Sequence, residues 1–347
     1  MPDWPWAFGA PPVTALLRAN IEDFEVEEIL GFEPDGSGEH AWLWIEKRDL
    51  NTADVAQRLA RFAGLRERDI SYSGLKDKRA VARQWFSVHL PGRDIVWSEW
   101  SDPAVQILRS VRHGRKLRRG THRGNRFTIV LREVAGDLAL LRQRIADIAR
   151  TGVPNYFGEQ RFGRDGRNLE LARRAAAGGK PLPRQQAGLY LSAARSYLFN
   201  TLLAQRIELR NWLQPQPGEV FALNRSNSTF KQAADELILQ RLEQGDIHLT
   251  AMLPGRSAGT QPDAAVAELE ARVLAPHAEL VDFLIRAGVD AERRSLRLVP
   301  EHFGAEPLDQ HSWRFCFELP KGCFATSVMR ELSDYSVPNR FAETVGE

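Results

Sequence analysis

The stretch Ser73-Gly74-Leu75-Lys76-Asp77-Lys78-Arg79 places one carboxylate among three cations. Positive charge nearby favours the ionised form of a carboxylate. An aspartate kept ionised on a loop can act as a nucleophile at a sugar C1′, the chemistry that glycosidase carboxylates perform. Gly74 lets the backbone turn there or come close to a substrate. The same residues also suit a plain hairpin loop, with surface ion pairs worth about 0–1 kcal/mol each. Taken alone, the segment leaves both readings open.

A second feature is charge distribution. From Pro103 to Arg132 there is no Asp or Glu, yet the stretch holds Arg109, Arg112, Arg115, Lys116, Arg118, Arg119, Arg123, Arg126 and Arg132. Such a block in a chain of net charge +2 suits a polyanion, or else forms a solvated basic loop. At its end, Asn125 of Arg123-Gly124-Asn125-Arg126-Phe127 can read a base edge, and Phe127 can stack on a base. Phe127 also alternates with Ile129 and Leu131, which is the pattern of plain core packing. Further on, Asn155-Tyr156-Phe157-Gly158-Glu159-Gln160-Arg161-Phe162-Gly163-Arg164 mixes aromatic, amide and basic groups, as a binding segment or a structural hinge would.

Other chemistries find little footing. The 8 histidines are scattered and form no His-Glu-x-x-His cluster. Cys316 and Cys323 give neither a disulfide framework nor a four-cysteine zinc pattern, and this usage fits a reducing cytosol. There is no Walker or dinucleotide fingerprint and no serine nucleophile elbow. The expectation is an enzyme that works with ordinary side chains, without metal or cofactor.

The elements that must position these residues change character along the chain. Up to about residue 135 the texture is mostly strand. In Asp23-Phe24-Glu25-Val26-Glu27-Glu28, Phe24 and Val26 share one face and Glu25 and Glu27 the other. His40 to Lys47 is apolar on both faces and predicts a central strand, and Ile70–Tyr72, Gln84–Leu90, Val105–Val111 and Arg126–Arg132 are further strands. One helix is predicted over Ala53–Ala63, capped by Asn51 or Thr52, closed by Gly64 and buried through Val55, Leu59 and Phe62. Another runs over Leu138–Ala149.

After Pro154, helices separated by Pro and Gly are predicted at Asn168–Ala177, Leu189–Leu209, Lys231–Glu243, Ala264–Val273 and Ala278–Ala287. Leu191, Leu198, Leu202 and Leu209 form the stripe of the longest. Strands return at Ser295–Val299 and Ser312–Leu319, and a last helix starts near Gly322 with Phe324, Val328 and Leu332 along one side. This order predicts an α+β protein in which a mainly helical domain interrupts an outer one. At 347 residues, the chain has room for roughly two domains of about 150 residues. Its start, Met1-Pro2-Asp3-Trp4-Pro5-Trp6, lacks the layout of a signal peptide, and no apolar run approaches the roughly 18 residues of a membrane span.

Taken in order, these segments resemble one family. Gly74-Leu75-Lys76-Asp77-Lys78-Arg79-Ala80-Val81 resembles the catalytic signature of the TruD family of tRNA pseudouridine synthases. Glu22 to Glu28 looks like that family's N-terminal motif, and Arg123-Gly124-Asn125-Arg126-Phe127 and Val153 to Gly163 are similar to later ones. Leu191-Ser192-Ala193-Ala194-Arg195-Ser196 and Gly322-Cys323-Phe324-Ala325-Thr326-Ser327 complete an ordered set that covers nearly the whole chain.

The resemblance implies a pseudouridine-synthase-type catalytic domain of residues 1–153 and 305–347, interrupted by an inserted domain of residues 154–304. It implies Asp77 as the nucleophile, with Phe24, Asn125 and Phe324 around the target nucleotide. Phe127 falls where other pseudouridine synthases use a tyrosine against the base. Arg115, Arg118 and Arg119 would meet the RNA backbone. Arg18 stands where the family often has a lysine, and its role is open because the two residues are not interchangeable at a tight site. The implied substrate is tRNA, at the uridine of position 13 in the D arm, in the cytoplasm. No cofactor, metal or obligatory protein partner is implied. Two rivals are a tRNA-binding protein or RNA chaperone without chemistry, and an N-glycosylase that releases free base.

Overall fold

The computed structural model describes residues 3–179, 186–226, 228–257 and 259–338. Met1, Pro2 and residues 339–347 of the expected outer domain therefore lie outside the described residues. The chain opens with β1 (Val13–Leu17), β2 (Phe24–Ile29), β3 (His40–Arg48), α1 (Thr52–Ala63), β4 (Ile70–Tyr72), β5 (Val81–His89), β6 (Val105–His113) and β7 (Gly124–Gly136). Helix α2 (Leu138–Thr151) and the short β8 (Val153–Pro154) lead into a middle region. That region holds α3 (Arg167–Ala176), α4 (Ala187–Glu208), β9 (Val220–Leu223), β10 (Thr229–Lys231), α5 (Glu236–Glu243) and β11 (Ile247–Leu253). It continues with α6 (Ala264–Leu274), α7 (Ala278–Arg286), β12 (Glu292–Ser295) and β13 (Arg297–Leu298). Strands β14 (Glu301–Pro307) and β15 (Trp313–Pro320), α8 (Ala325–Leu332) and β16 (Ser333–Ser336) close the described chain.

Ten strands form one sheet whose main path is β14-β15-β7-β2-β5-β3-β6, with β1, β16 and β4 attached beside it. The long β7 organises the sheet. Its first half pairs antiparallel with β2, setting Phe127 opposite Val26 and Asn125 opposite Glu28. Its second half pairs with β1, and its other edge pairs with β15 in a register that sets Phe317 opposite Phe127. The period-two pattern dictates this packing. Phe24, Val26, Phe127, Ile129, Leu131, Trp313, Phe315 and Phe317 all enter one core, closed by Leu141 and Ile148 of α2 and by Val328 and Leu332 of α8.

Strand β3 is covered on both faces, as its apolar run predicts. Ala41, Leu43 and Ile45 pack under Val55 and Leu59 of α1, while Trp42 packs on the other face with Trp85, Leu30 and Leu117. Helix α1 begins where Asn51 N–H donates to the Asp54 carboxylate at 3.2 Å, and it ends at Gly64 in the left-handed conformation with φ 63. Phe62 lies off its buried stripe and instead packs at the surface against Trp97 and Trp100.

Several sequence-based expectations need correction. The helix expected over Lys231–Glu243 forms only from Glu236, capped by Asp235, and Lys231 ends strand β10. The strand expected over Ser295–Val299 is split between β12 and β13. The final helix starts at Ala325 with an extended Phe324 as its N-cap, so Phe324 does not belong to its buried stripe. Leu209 caps α4 and is exposed, whereas Leu198 and Leu202 are buried. The middle region also contains a four-stranded sheet, β10-β9-β11-β12, among its helices. Strands of 3 to 7 residues such as β10 and β11 leave too short a pattern to separate from buried helix.

The middle region has its own core, from Tyr156 through Leu198, Phe221 and Leu249 to Leu296. Its two ends meet in the β8–β13 pairing, with Val153 opposite Leu298 and Pro154 opposite Arg297.

Candidate active site

Five separate parts of the chain converge on a pocket of about 150 Å³, lined among others by Arg18, Phe24, Asp77, Asn125, Phe127, Gln160 and Phe324. It therefore gathers every residue expected around the target nucleotide. Strand register brings Phe24, Asn125 and Phe127 together, and the loop between β4 and β5 supplies Asp77.

That loop is held from behind by buried polar groups. Lys47, fully buried on β3, donates to the Asp77 carbonyl and the Leu50 carbonyl, each at 2.6 Å. Its burial pushes the ammonium pKa down to about 8. Thr52 at the start of α1 accepts from the Lys76 N–H at 3.0 Å and donates to Gln84 at 2.9 Å. Gln84 in turn donates to the Gly74 carbonyl at 3.1 Å. Lys76 itself turns inward to a buried ion pair with Glu28 at 2.9 Å, and the Trp85 N–H donates to the same carboxylate at 3.3 Å. On the other flank, Ser73 bonds His122, whose burial holds its pKa down to about 4, so the ring is neutral at physiological pH. A side chain at position 74 would press on His122, with a Cβ only 3.1 Å from its ring.

The cation that faces Asp77 is Arg18. Flanking positions in sequence point to Lys76, Lys78 and Arg79, but Lys76 is used by Glu28, and the ion pair to the Asp77 carboxylate comes from Arg18. Arg18 directly follows β1 with φ 61, a left-handed backbone that costs a non-glycine residue some strain. Its guanidinium lies 3.9 Å above the centre of the Phe24 ring, so a cation–π contact aims it. Gln160 of the middle region adds a long hydrogen bond to Asp77 at 3.4 Å. Sequence reasoning misses Gln160, Lys47 and Glu28 and leaves Arg18 open. A signal exists for Glu28, which continues the buried face of Phe24 and Val26 in period two.

The pocket walls are aromatic. Phe24 is buried and meets Phe127 edge-on at 6.1 Å. Phe127 joins the core, as its alternation predicts, and also lines the pocket. Phe324 is half-buried, 6.0 Å from Phe157, with the Arg161 guanidinium 5.6 Å over its ring. The missing side chain of Gly158 makes this approach possible, since a Cβ there would sit 2.6 Å from Thr326 Oγ1. Arg294 fixes the segment before Phe324 by donating to the Gly322 carbonyl at 3.2 Å and to Asn155 at 2.6 Å. Against these walls, the buried Oδ1 of Asn125 has no hydrogen-bond partner among the described residues. A buried acceptor left unpaired is costly, and a donor arriving with a ligand would remove that cost.

The basic block divides. Arg109 pairs with Glu33, Arg112 with Asp94, Arg123 and Arg126 with Glu318, and Arg132 with Asp23. Arg115, Arg118 and Arg119, on the loop between β6 and β7, are exposed and make no ion pair among the described residues. The carboxylates that neutralise the rest come from far along the chain.

Among the described residues, no helix is long and apolar enough to cross a membrane, and no group of three or more His, Cys, Asp and Glu could hold a metal ion.

The family model described as tRNA pseudouridine synthase D (TruD) matches residues 5–174 and 169–332. A tRNA pseudouridine synthase D from Chromohalobacter salexigens is 46% identical over 344 residues, covering 97% of each chain. The protein of that name from Azotobacter vinelandii is 46% identical over 343 residues, covering 95% of this chain and 94% of its own. The crystal structure of a candidate tRNA pseudouridine synthase D from Methanosarcina mazei superposes with a TM-score of 0.73, covering 94% of this chain and 95% of its own. At 23% identity, that likeness shows the shared fold.

Proposed function

The chain belongs to the TruD family of tRNA pseudouridine synthases and isomerises a uridine of tRNA to pseudouridine, and we propose that Asp77 is the carboxylate that does so. The observation that carries this reading is the pocket itself. It presents one carboxylate on a braced loop, a guanidinium against it, aromatic walls and one unpaired acceptor.

In this reading the target uridine leaves its stack and enters the pocket. Phe24 and Phe127 form the wall behind the base, and Phe324 stacks on the extruded nucleotide from the side of α8. Asn125 Oδ1 accepts from the uracil N3–H, the donor that its orphaned oxygen lacks. Asp77 then attacks C1′ as the C1′–N1 bond breaks, or removes the proton at C2′ to give a glycal. The uracil turns and C5 bonds to C1′ as the Asp77–C1′ bond breaks or, on the glycal route, as C2′ regains its proton; C5 then loses its proton and N1 takes one up, so the composition is unchanged. Arg18 keeps the carboxylate oriented while it is free. An arginine is suited to that place because it stays charged and presents a planar fork.

Arg115, Arg118 and Arg119 contact phosphates, which position RNA without reading its sequence. We place the target at position 13 of the D arm, on the resemblance set out above, and the enzyme in the cytoplasm. Residues 154–304 are read as a single inserted domain, a reading supported by the β8–β13 pairing at its neck and by its separate core. Every role falls to side chains of this chain, so the reading calls for neither cofactor nor obligatory protein partner.

Incubation with bulk tRNA tests the reaction through RNA mass and nucleoside content. Unchanged mass with new pseudouridine is expected. A loss of mass would indicate base excision, and no change in either would indicate binding alone.

A further inference from the structure

Away from Asp77, a groove of about 790 Å³ opens between the loop after β2 and the loop between β6 and β7. Of its lining, the function proposed above uses only the phosphate contacts of Arg115 and Arg118. Phe32 stands in its wall, 45% exposed, with one edge against Trp42 at 5.9 Å and against His113 at 6.1 Å. Arg115, Lys116 and Arg118 line the same groove. A single exposed aromatic is ordinary on a protein surface. An exposed ring and a cluster of exposed cations in one concavity are a different matter, because each recognises a different part of a nucleotide.

The groove is built rather than incidental. The Trp42 indole donates to the Arg115 carbonyl at 2.9 Å, and the buried Leu117 donates its N–H to Ser87 at 3.0 Å. These bonds pin the loop backbone and leave the basic side chains on its outer face. Gly38, with φ 119, lets the first loop touch the second, since a Cβ there would lie 2.5 Å from the Gly114 backbone. The one acid in the lining, Asp35, accepts from the Gly114 N–H at 3.2 Å and sits 2.9 Å from His113 Nδ1.

The same basic loop reaches the catalytic loop. Gly120 N–H donates to the Ser73 carbonyl at 2.8 Å, and Ser73 lies four residues before Asp77. The basic loop that lines the groove and the loop that carries Asp77 are thus joined by a backbone hydrogen bond.

We propose that this groove is a second nucleotide subsite for the same tRNA, taking an unstacked base on the face of Phe32 and its phosphate between Arg115 and Arg118. The inference rests on the reading of this chain as an enzyme that acts on tRNA. A duplex would present only phosphates to the groove and leave Phe32 without a role. A nucleotide splayed out of the stack uses both sides.

The test compares Phe32→Leu, which keeps apolar bulk, with Phe32→Trp, which keeps a flat aromatic face. Affinity for tRNA is measured across a salt series, with melting temperature as a check on folding. Phe32→Leu should bind tRNA roughly fivefold to a hundredfold more weakly, the range of base–aromatic stacking. Its log–log salt slope should match that of the parent protein, because stacking releases no counterions. Phe32→Trp should bind at least as tightly as the parent. Parent-like affinity in Phe32→Leu, or equal weakening in both variants, would overturn the subsite. Pseudouridine formation by the unsubstituted protein is read in parallel. Its absence would overturn the parent reading, whereas normal turnover with normal Phe32→Leu affinity overturns the subsite alone.

Discussion

The Asp77 pocket and the loop from Gly114 to Thr121 both carry positive charge, and they use it in opposite ways. Around Asp77, Lys76 is paired with Glu28 and Lys47 is bonded to two carbonyls out of water, and Arg18 is paired with the partly exposed Asp77. On the loop, Arg115, Arg118 and Arg119 are exposed and have no acidic partner among the described residues. Buried pairs fix geometry, and breaking one leaves an uncompensated charge. Exposed cations attract a polyanion from a distance and are screened by salt. The comparison predicts abrupt failures in the pocket and graded, salt-dependent ones on the loop.

The largest effect is expected at Asp77. Asp77→Asn keeps the volume of the side chain but removes nucleophile and base, so pseudouridine formation should vanish while tRNA affinity changes little. Turnover in a preparation free of parent enzyme would break the assignment. Next comes the brace behind it. Glu28→Gln leaves Lys76 charged and buried without its partner, which should cost about 3–5 kcal/mol of stability. Chemical denaturation measures this, and a midpoint like the parent's would show that the pair is not buried in solution.

Substitutions in the pocket wall sharpen the comparison. Asn125 Oδ1 bonds nothing in the described protein, so Asn125→Ala should leave the melting temperature nearly unchanged. Turnover should nonetheless fall roughly tenfold through loss of one buried hydrogen bond to the base. Phe324→Ala should lower turnover or affinity about tenfold or more by lost stacking. Because Phe324 is a half-buried N-cap rather than a core residue, its melting temperature should also hold. A large drop in stability with normal specific activity would return either residue to a structural role.

The smallest effects belong to the loop. Each of Arg115→Ala, Arg118→Ala and Arg119→Ala should reduce the log–log salt slope of tRNA binding by about 0.7–0.9. Different tRNA sequences should be affected alike. An unchanged slope would mean that the RNA lies elsewhere.

The site was legible in the sequence where it depends on local pattern. Period two placed Phe24, Val26 and Phe127 on buried faces, whereas the charges around position 77 left the role of its aspartate open and only the resemblance of Gly74 to Val81 to a family signature pointed to it. Pairing across the fold was not legible. Lys76 lies next to Asp77 in sequence yet turns to Glu28, while the guanidinium on Asp77 comes from Arg18, just beyond the end of β1. The acid-free stretch from Pro103 to Arg132 looked uniformly basic, although Glu318 and Asp23 neutralise its last third from distant strands. Short strands such as β10 escaped because three residues define no period. Lys47 was hidden for a related reason, since a buried lysine in an apolar strand stands out only once Asp77's carbonyl is seen to receive it.

The most direct test of the account is a structure of the Asp77→Asn protein bound to substrate tRNA. The account predicts one uridine extruded into the pocket, with its C1′ nearest the side chain at position 77 and its N3–H on Asn125 Oδ1. A complex whose RNA leaves this pocket empty, with the uridine held elsewhere, would contradict it.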